Sequence, residues 1–157
     1  MMMQTRQPRR AKSCLQAQQG FTITEVVITV LIISVVTAIA LPLYREHTYR
    51  AHRAEARATL LAASQFMQRL LDTNNGSYQV NGKAPLLPVE LRTSPPNAST
   101  DKALYTITVQ TPTANQFTLT ATRRGSMTSD ECGDLTVDQR GRMTTQNASK
   151  DALKCMK

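Results

Sequence analysis

The chain has 157 residues, with 19 lysines and arginines against 11 aspartates and glutamates and a formal net charge of +8. This length accommodates one globular domain with a modest core. Four of the cations lie in the first twenty residues, which contain no acid, so the rest of the chain carries about +4. Such a mild basic excess does not by itself indicate a nucleic-acid-binding protein.

An apolar stretch follows this basic leader. From Val26 to Leu41 the sequence has no charge, glycine or proline, which predicts a helix that is apolar on all sides and suited to a membrane or a packed bundle. The leader allows two ordinary interpretations: a secretory signal peptide cut at Ala38-Ile39-Ala40, or a plain membrane anchor oriented by its positive flank. The plain anchor does not account for Glu25 or for the Gly20-Phe21 junction, and a carboxylate at the head of such a run is costly to bury without a partner.

The junction Gly20-Phe21-Thr22-Ile23-Thr24-Glu25 resembles that of type IV prepilins. In that family the leader is cut after a glycine, the new N-terminal residue is usually a phenylalanine, and a glutamate follows four residues later. The resemblance extends through Pro42 into a continuing helix and covers about the first half of the chain. Thr24 departs from it, since the family usually has a large aliphatic residue there, and the leader is longer than most.

This resemblance implies cleavage between Gly20 and Phe21, N-methylation of Phe21, and a role for Glu25 and Pro42 in subunit assembly. The freed ammonium of Phe21 and the carboxylate of Glu25 are opposite charges in an apolar medium, so pairing between neighbouring subunits would offset the cost of burying each one. The implied partners are a prepilin peptidase and methylase, an inner-membrane assembly platform, and other major and minor pilins. The implied location is the inner membrane, crossed once, and then an extracellular pilus of a Gram-negative bacterium.

After Pro42 the hydrophobic pattern becomes amphipathic. Apolar residues recur on one side of the predicted helix at Tyr49, Ala56, Leu60, Ala63, Met67 and Leu71, and arginines punctuate the rest at Arg45, Arg50, Arg53, Arg57 and Arg69. Strong helix formers carry the pattern to about Thr73, and Asn74-Asn75-Gly76 predicts its end. Pro42 predicts a kink because it has no amide hydrogen. Five hydroxyls are expected to bond back to the preceding turn: Thr22, Thr24, Thr29, Ser34 and Thr37.

Prolines, serines and asparagines in residues 76–101 predict a surface connection, which apolar residues could anchor in part: Val80, Leu86, Leu87, Val89 and Leu91. From Leu104 the period falls to two, which predicts half-buried strands. Their apolar faces consist of Tyr105, Ile107 and Val109, then Phe117, Leu119 and Ala121, then Leu135 and Val137. A small antiparallel meander of these strands would cover the apolar face of the helix.

The predicted fold class is α+β, and by resemblance it is the type IV pilin fold, a long N-terminal helix on an antiparallel meander with a disulfide-tied C-terminal region. We divide the chain into a leader (1–20), the apolar half of the helix (21–44), its amphipathic half (45–75), a connecting loop (76–103), and the sheet with the C-terminal region (104–157).

Of three cysteines, Cys14 lies in the leader, so Cys132 and Cys155 remain. In an exported chain an even pair is most simply a disulfide, worth about 3–4 kcal/mol in the chain-entropy model; two buried free thiols are the alternative. Residues 131–142 with a near-terminal cysteine also resemble the C-terminal signature of minor pilins of type IVa systems. Met156 departs from that signature, because an aromatic residue often follows the last cysteine.

Nothing in the sequence predicts catalysis, a cofactor or a metal site. His47 and His52 are five residues apart, so they do not share a helix face as a metal-binding pair would. The glycosylation sequons at Asn75, Asn97 and Asn147 are typical of chance matches in asparagine-rich turns.

Basic residues are frequent in the C-terminal third. If the meander and tail bring them together, they would form a patch able to hold phosphates; the candidate contacts are Arg123, Arg124, Arg140, Arg142 and Lys154, with Lys150 and Lys157 nearby in sequence. Ordinary surface charge is the plainer interpretation. The resulting hypothesis is a minor type IV pilin that supports pilus assembly, with motility, adhesion or DNA uptake as consequences. The alternatives are a type II secretion pseudopilin and a DNA-binding pilus subunit for natural transformation.

Overall fold

The structure, a computed structural model, describes residues 20–155 apart from the side chain of Pro112. The leader therefore lies outside the described residues except for Gly20, as do Met156 and Lys157. The described part of the chain divides into two compact units, with the boundary between Leu41 and Pro42.

In the first unit, helix α1 (Ile23–Thr73) begins after a polar cap. The amide of Glu25 donates to Oγ1 of Thr22 at 3.3 Å, a typical N-cap bond. Thr29, Ser34 and Thr37 bond back to carbonyls of the preceding turn, as predicted. The expectation was wrong for Thr22 and Thr24, whose hydroxyls bond to each other at 3.0 Å, because Thr22 precedes the first helical turn.

This part of α1 is long and apolar enough to cross a membrane, by length and composition. Its large side chains project outward throughout; Ile33, for example, is 63% exposed. The helix continues through Pro42, and the kink expected there stays a prediction.

In the second unit, α1 presents a buried face formed by Arg53, Ala56, Thr59, Leu60, Ala63 and Met67. The helix ends at Thr73, where the sequence predicted. The amide of Gly76 donates to the carbonyl of Leu71 at 3.0 Å, and Asn75 and Gly76 adopt positive φ. This is the left-handed ending that asparagine and glycine favour.

A five-stranded antiparallel sheet packs on that face, with the strands in chain order. They are β1 (Thr93–Ser94), β2 (Tyr105–Thr113), β3 (Gln116–Arg123), β4 (Asp134–Asp138) and β5 (Met143–Gln146). Val109, Leu119 and Val137 lie opposite one another on the inner face. The alternating residues predicted for β2, β3 and β4 therefore form the core.

Short elements that the sequence did not predict complete the fold. Two 3-10 turns span Val89–Leu91 and Gly125–Ser129, and a short helix α2 spans Ala152–Cys155. Strands β1 and β5 were also missed. Of the apolar residues expected to anchor the 76–103 connection, Leu87 is buried and Leu91 is half-buried, whereas Leu86 is 79% exposed.

A disulfide joins Cys132 and Cys155, with their Cα atoms 5.5 Å apart. Gly133, which follows the first cysteine, has φ +73°, and a Cβ there would lie 2.1 Å from the carbonyl oxygen of Gln146. Only glycine fits this approach. The bond ties α2 to the start of β4.

Candidate functional site

The N-terminal junction lies at the start of α1. Phe21 is 82% exposed, and Glu25 lies in the first helical turn, where the helix dipole favours a negative charge. Within residues 20–155 the Glu25 carboxylate has no ion-pair partner. Cleavage after Gly20, methylation of Phe21 and the assembly roles of Glu25 and Pro42 stay predictions.

Arg123, one of the predicted phosphate contacts, holds the sheet together instead. Its Nε donates to Oδ1 of Asp134 at 3.1 Å, its amide donates to the same oxygen at 3.0 Å, and its Nη1 donates to the carbonyl of Asp130. Burial raises the pKa of Asp134, but hydrogen bonds from Arg123 and Asn147 outweigh it and hold the pKa below its usual value. The donors of Arg123 are thus largely used internally.

Arg140 and Arg142 lie in the turn between β4 and β5, and we call them the turn cations. Nε of Arg142 donates to Oδ2 of Asp138 at 2.8 Å, and the amides of Arg140 and Arg142 donate to Oδ1 of the same carboxylate. Desolvation raises the pKa of Asp138, but these hydrogen bonds lower it by more, so the pKa lies below its usual value. Asp138 therefore shapes the turn, while Arg142 remains 69% exposed and Arg140 is also exposed.

Arg124 and Lys154 are exposed and have no ion pair in the described part of the chain. Arg124 directly follows β3, and Lys154 precedes the disulfide cysteine, so both lie near the start of β4. The turn cations follow the end of that strand, and five residues of strand span roughly 13 Å. The fold therefore splits the predicted basic patch into two groups.

Between these groups the outer face of the sheet is rich in hydroxyls. Thr108, Thr120, Thr136 and Thr144 lie opposite one another in a row across four strands; we call this the threonine row. Oγ1 of Thr136 and Oγ1 of Thr144 are 2.6 Å apart. Beside them is a groove of about 330 Å³ that includes Asp138, Arg142 and Gln146. Sequence reasoning missed Thr144 and Gln146 because the segment that forms β5 shows no apolar alternation.

A buried ion cluster supports the unit from the opposite side. Arg53 is 2% exposed and pairs with Asp130 at 2.8 Å and with Glu46 at 2.9 Å. Oδ1 of Asp130 also accepts from the amide of Cys132 at 3.2 Å. The sequence pattern placed Arg53 outside the apolar side of the helix, but the structure buries it. Its acidic partner Asp130 lies 77 residues away in sequence, where no local pattern signals it.

The histidines and the other arginines add no catalytic constellation to this picture. His47 is exposed and His52 is half-buried. Across the described residues, no group of three His, Cys, Asp or Glu side chains could hold a metal ion. Arg57 donates to the backbone carbonyl of Cys155 and so binds α1 to the disulfide region.

Two family models match the chain. Residues 42–136, more than half of the sequence, match the family described as type IV minor pilin ComP, DNA uptake sequence receptor. Residues 15–41 match the prokaryotic N-terminal methylation motif.

Two solved structures are similar to the fold. One is the non-core minor pilin PilV of Neisseria meningitidis, with 19% identity, a TM-score of 0.47, and coverage of 68% of this chain and 94% of that one. The other is a type IV pilin from Shewanella oneidensis, with 19% identity, a TM-score of 0.44, and coverage of 66% of this chain and 96% of that one.

Proposed function

This chain belongs to the family of the type IV minor pilin ComP, DNA uptake sequence receptor, and from that premise we propose that it binds double-stranded DNA through its second unit. It is a minor type IV pilin, a structural subunit that supports pilus assembly. Its methylation motif implies processing by a prepilin peptidase and incorporation with other pilins. The family model describes a minor pilin, not a secretion pseudopilin, so that alternative loses its support.

One observation in the fold carries the DNA-binding proposal: exposed cations flank a hydroxyl-rich sheet face. The turn cations present guanidinium donors at one end, and Arg124 and Lys154 present donors at the other. Guanidinium groups bind phosphate oxygens in a bidentate manner. The exposed hydroxyls of Thr108 and Thr144 lie between them, and threonine hydroxyls are typical phosphate and sugar contacts. The surface therefore suits a duplex backbone.

Base recognition would need side chains that reach base edges. Gln146 borders the threonine row, and Arg142 lies in the same groove. Glutamine pairs with adenine and arginine with guanine in the major groove. We assign phosphate binding chiefly to Arg140 and Arg124, and base contacts to Gln146 and Arg142. Arg142 pairs with Asp138 through Nε and Nη2 but is 69% exposed, whereas Arg123 is left out because its side chain is only 17% exposed.

The life cycle completes the proposal. The chain would cross the inner membrane of a Gram-negative bacterium once, lose its leader between Gly20 and Phe21, and gain a methyl group on Phe21. The ammonium of Phe21 would then pair with Glu25 of a neighbouring subunit as the assembly platform adds pilins to the fibre. In this state the second unit would lie on the pilus surface, accessible to DNA.

The test is duplex binding by the full chain in detergent micelles, followed by fluorescence anisotropy from about 50 to 200 mM salt. The variant Arg140→Gln/Arg142→Gln should bind about tenfold more weakly, with a salt slope lower by about one, because it removes one phosphate contact at Arg140 and one base contact at Arg142. The matched control is Arg50→Gln/Arg69→Gln, which removes two exposed arginines from α1. Absence of duplex binding at 50 mM salt, or equal weakening in both double variants, would contradict the proposal.

A further inference from the structure

A cavity of about 400 Å³ lies between the start of α1 in the second unit and the 3-10 turn Gly125–Ser129. The helix contributes Tyr44, Arg45, Tyr49 and His52, and the turn contributes Ser126 and Ser129. We call it the headgroup cavity, for the ligand argued below. It belongs neither to the DNA-binding face nor to the core.

Internal hydrogen bonds fix the wall of this cavity. The hydroxyls of Tyr49 and Ser129 are 2.9 Å apart, and Ser129 in turn donates to the carbonyl of Ser126 at 3.3 Å. Because the proton of Ser129 is used there, Tyr49 is the donor in the first bond. These two hydrogen bonds hold the 3-10 turn against α1, and the first joins residues 80 positions apart in sequence.

The hydroxyl of Thr48, which also lines the cavity, donates to the carbonyl of Tyr44, but three other polar groups are free to bind a ligand. Throughout the described chain, the guanidinium of Arg45, the hydroxyl of Tyr44 and the hydroxyl of Ser126 have no hydrogen-bond or ion-pair partner. No carboxylate lines the cavity. The neighbouring acids Glu46 and Asp130 pair with Arg53. A guanidinium with hydroxyl donors and no carboxylate in the lining is a site for an anion that carries several acceptor oxygens.

The position of the cavity in the chain identifies the anion. Tyr44 and Arg45 lie where the apolar half of the helix (21–44) ends, directly after Leu43, which is 68% exposed. Tyrosine and arginine at the end of a membrane-spanning helix lie at headgroup level, with the arginine side chain extending toward the polar layer. The phosphates of phospholipids occupy that layer, and the exposed Leu43 is placed to contact an acyl chain.

We propose that the headgroup cavity binds the phosphate of an anionic phospholipid while the subunit is anchored in the membrane. Arg45 binds the phosphate oxygens, and the hydroxyls of Tyr44 and Ser126 donate to the phosphate or to a glycerol headgroup. This site would fix the height and rotation of the subunit at the membrane surface before assembly. It depends on membrane anchoring and not on DNA binding, so either proposal can fail alone.

The experiment uses the full chain in a mild detergent and measures bound lipid by native mass spectrometry. Phosphatidylglycerol is titrated against phosphatidylcholine, and inorganic phosphate and a short DNA duplex serve as competitors. We expect one tightly bound phosphatidylglycerol, retained about fivefold better than phosphatidylcholine, since one interfacial cation contributes about that factor. Arg45→Gln should abolish the preference.

The matched control is Arg50→Gln. Arg50 lies five residues further along α1, is 65% exposed and pairs with Glu46 outside the cavity, so its loss should leave the preference intact. Ser126→Ala, at an exposed position, provides a second cavity variant and should lower retention of phosphatidylglycerol. Equal retention of both lipids by the unsubstituted chain, equal losses in Arg45→Gln and Arg50→Gln, or displacement of the lipid by inorganic phosphate or DNA at equal concentration would each overturn the proposal.

Discussion

Residues 23–41 and 42–73 belong to the same helix, but only the second segment buries its large apolar side chains within this chain. In the first segment every large apolar side chain is exposed, with Ile33 at 63%, while in the second Leu60 and Met67 are fully buried under the sheet. The first segment therefore depends on a membrane or on neighbouring subunits to cover it, since lipid is as apolar as its side chains. The second unit carries its own core, ion cluster and disulfide, and its stability should be insensitive to changes in the first.

The largest expected effect lies in the buried ion cluster. Arg53→Met should destabilise the second unit by about 3–5 kcal/mol, because it leaves the carboxylate of Asp130 buried without its cation. The measurement is thermal unfolding of the full chain in detergent, followed by the near-ultraviolet signal of the tyrosines. Arg50→Met, the exposed neighbour, should change the free energy of unfolding by less than about 0.5 kcal/mol. Equal effects of the two substitutions would show that the buried ion cluster does not stabilise the second unit.

Loss of the disulfide should have a nearly equal effect. Cys132→Ser/Cys155→Ser should lower the free energy of unfolding by about 3–4 kcal/mol, because the unfolded chain regains the freedom of the loop. Denaturant titration with and without a reducing agent measures this. The reducing agent should destabilise the unsubstituted protein and leave the double variant unchanged; an effect on both would place the sensitivity elsewhere.

Gly133 offers a sharper test of the packing around that bond. Gly133→Ala should cost about 1–3 kcal/mol from its left-handed backbone, and more from the approach of its Cβ to backbone atoms of Gln146 and Ala148. Gly141 has nearly the same φ, +74°, but no atom lies within 4 Å of its Cβ position. Gly141→Ala should therefore show the backbone cost alone. Equal costs at the two positions in thermal unfolding would contradict the close approach.

Lowering the pH should have a smaller effect on the free energy of unfolding. The folded-state pKa values of Asp134 and Glu46 lie below normal, so each group stabilises the fold above its unfolded pKa of about 4 and loses that contribution as the pH falls through the folded value. The free energy of unfolding should thus decrease below about pH 4. Asp134→Asn should be less stable at pH 6 and show a shallower decrease; an unchanged acid dependence would show that Asp134 does not contribute.

The smallest effect should come from the first segment. Ser34→Ala and Thr37→Ala remove hydroxyls that bond only to the preceding turn, so unfolding of the second unit should change by less than about 0.5 kcal/mol. A larger loss of stability, measured as for Arg53→Met, would mean that the two regions are energetically coupled, contrary to the independent stability expected for the second unit.

The sequence predicted those parts of the fold that depend on neighbouring residues, namely the strand faces and the end of the helix. Alternation in β2 to β4 revealed their inner faces, and Asn74-Asn75-Gly76 revealed the end of α1. Strand β5 was missed because Thr144 and Thr145 give no apolar period, and its place depends on pairing with β4. The burial of Arg53 and the internal role of Arg123 depend on acidic partners brought near by the tertiary fold. For this reason the basic residues could be picked from the sequence, but their division into two groups could not.

Processing of the chain as a prepilin and its incorporation into a pilus as a minor subunit can be tested together. The measurement is intact mass and N-terminal sequencing of the protein from sheared surface fibres, before and after reduction. We expect an N-terminus at methylated Phe21, low abundance relative to another pilin, and a mass gain of two hydrogens on reduction. A mature N-terminus at Leu41, or an uncut leader on a protein confined to the membrane, would contradict it.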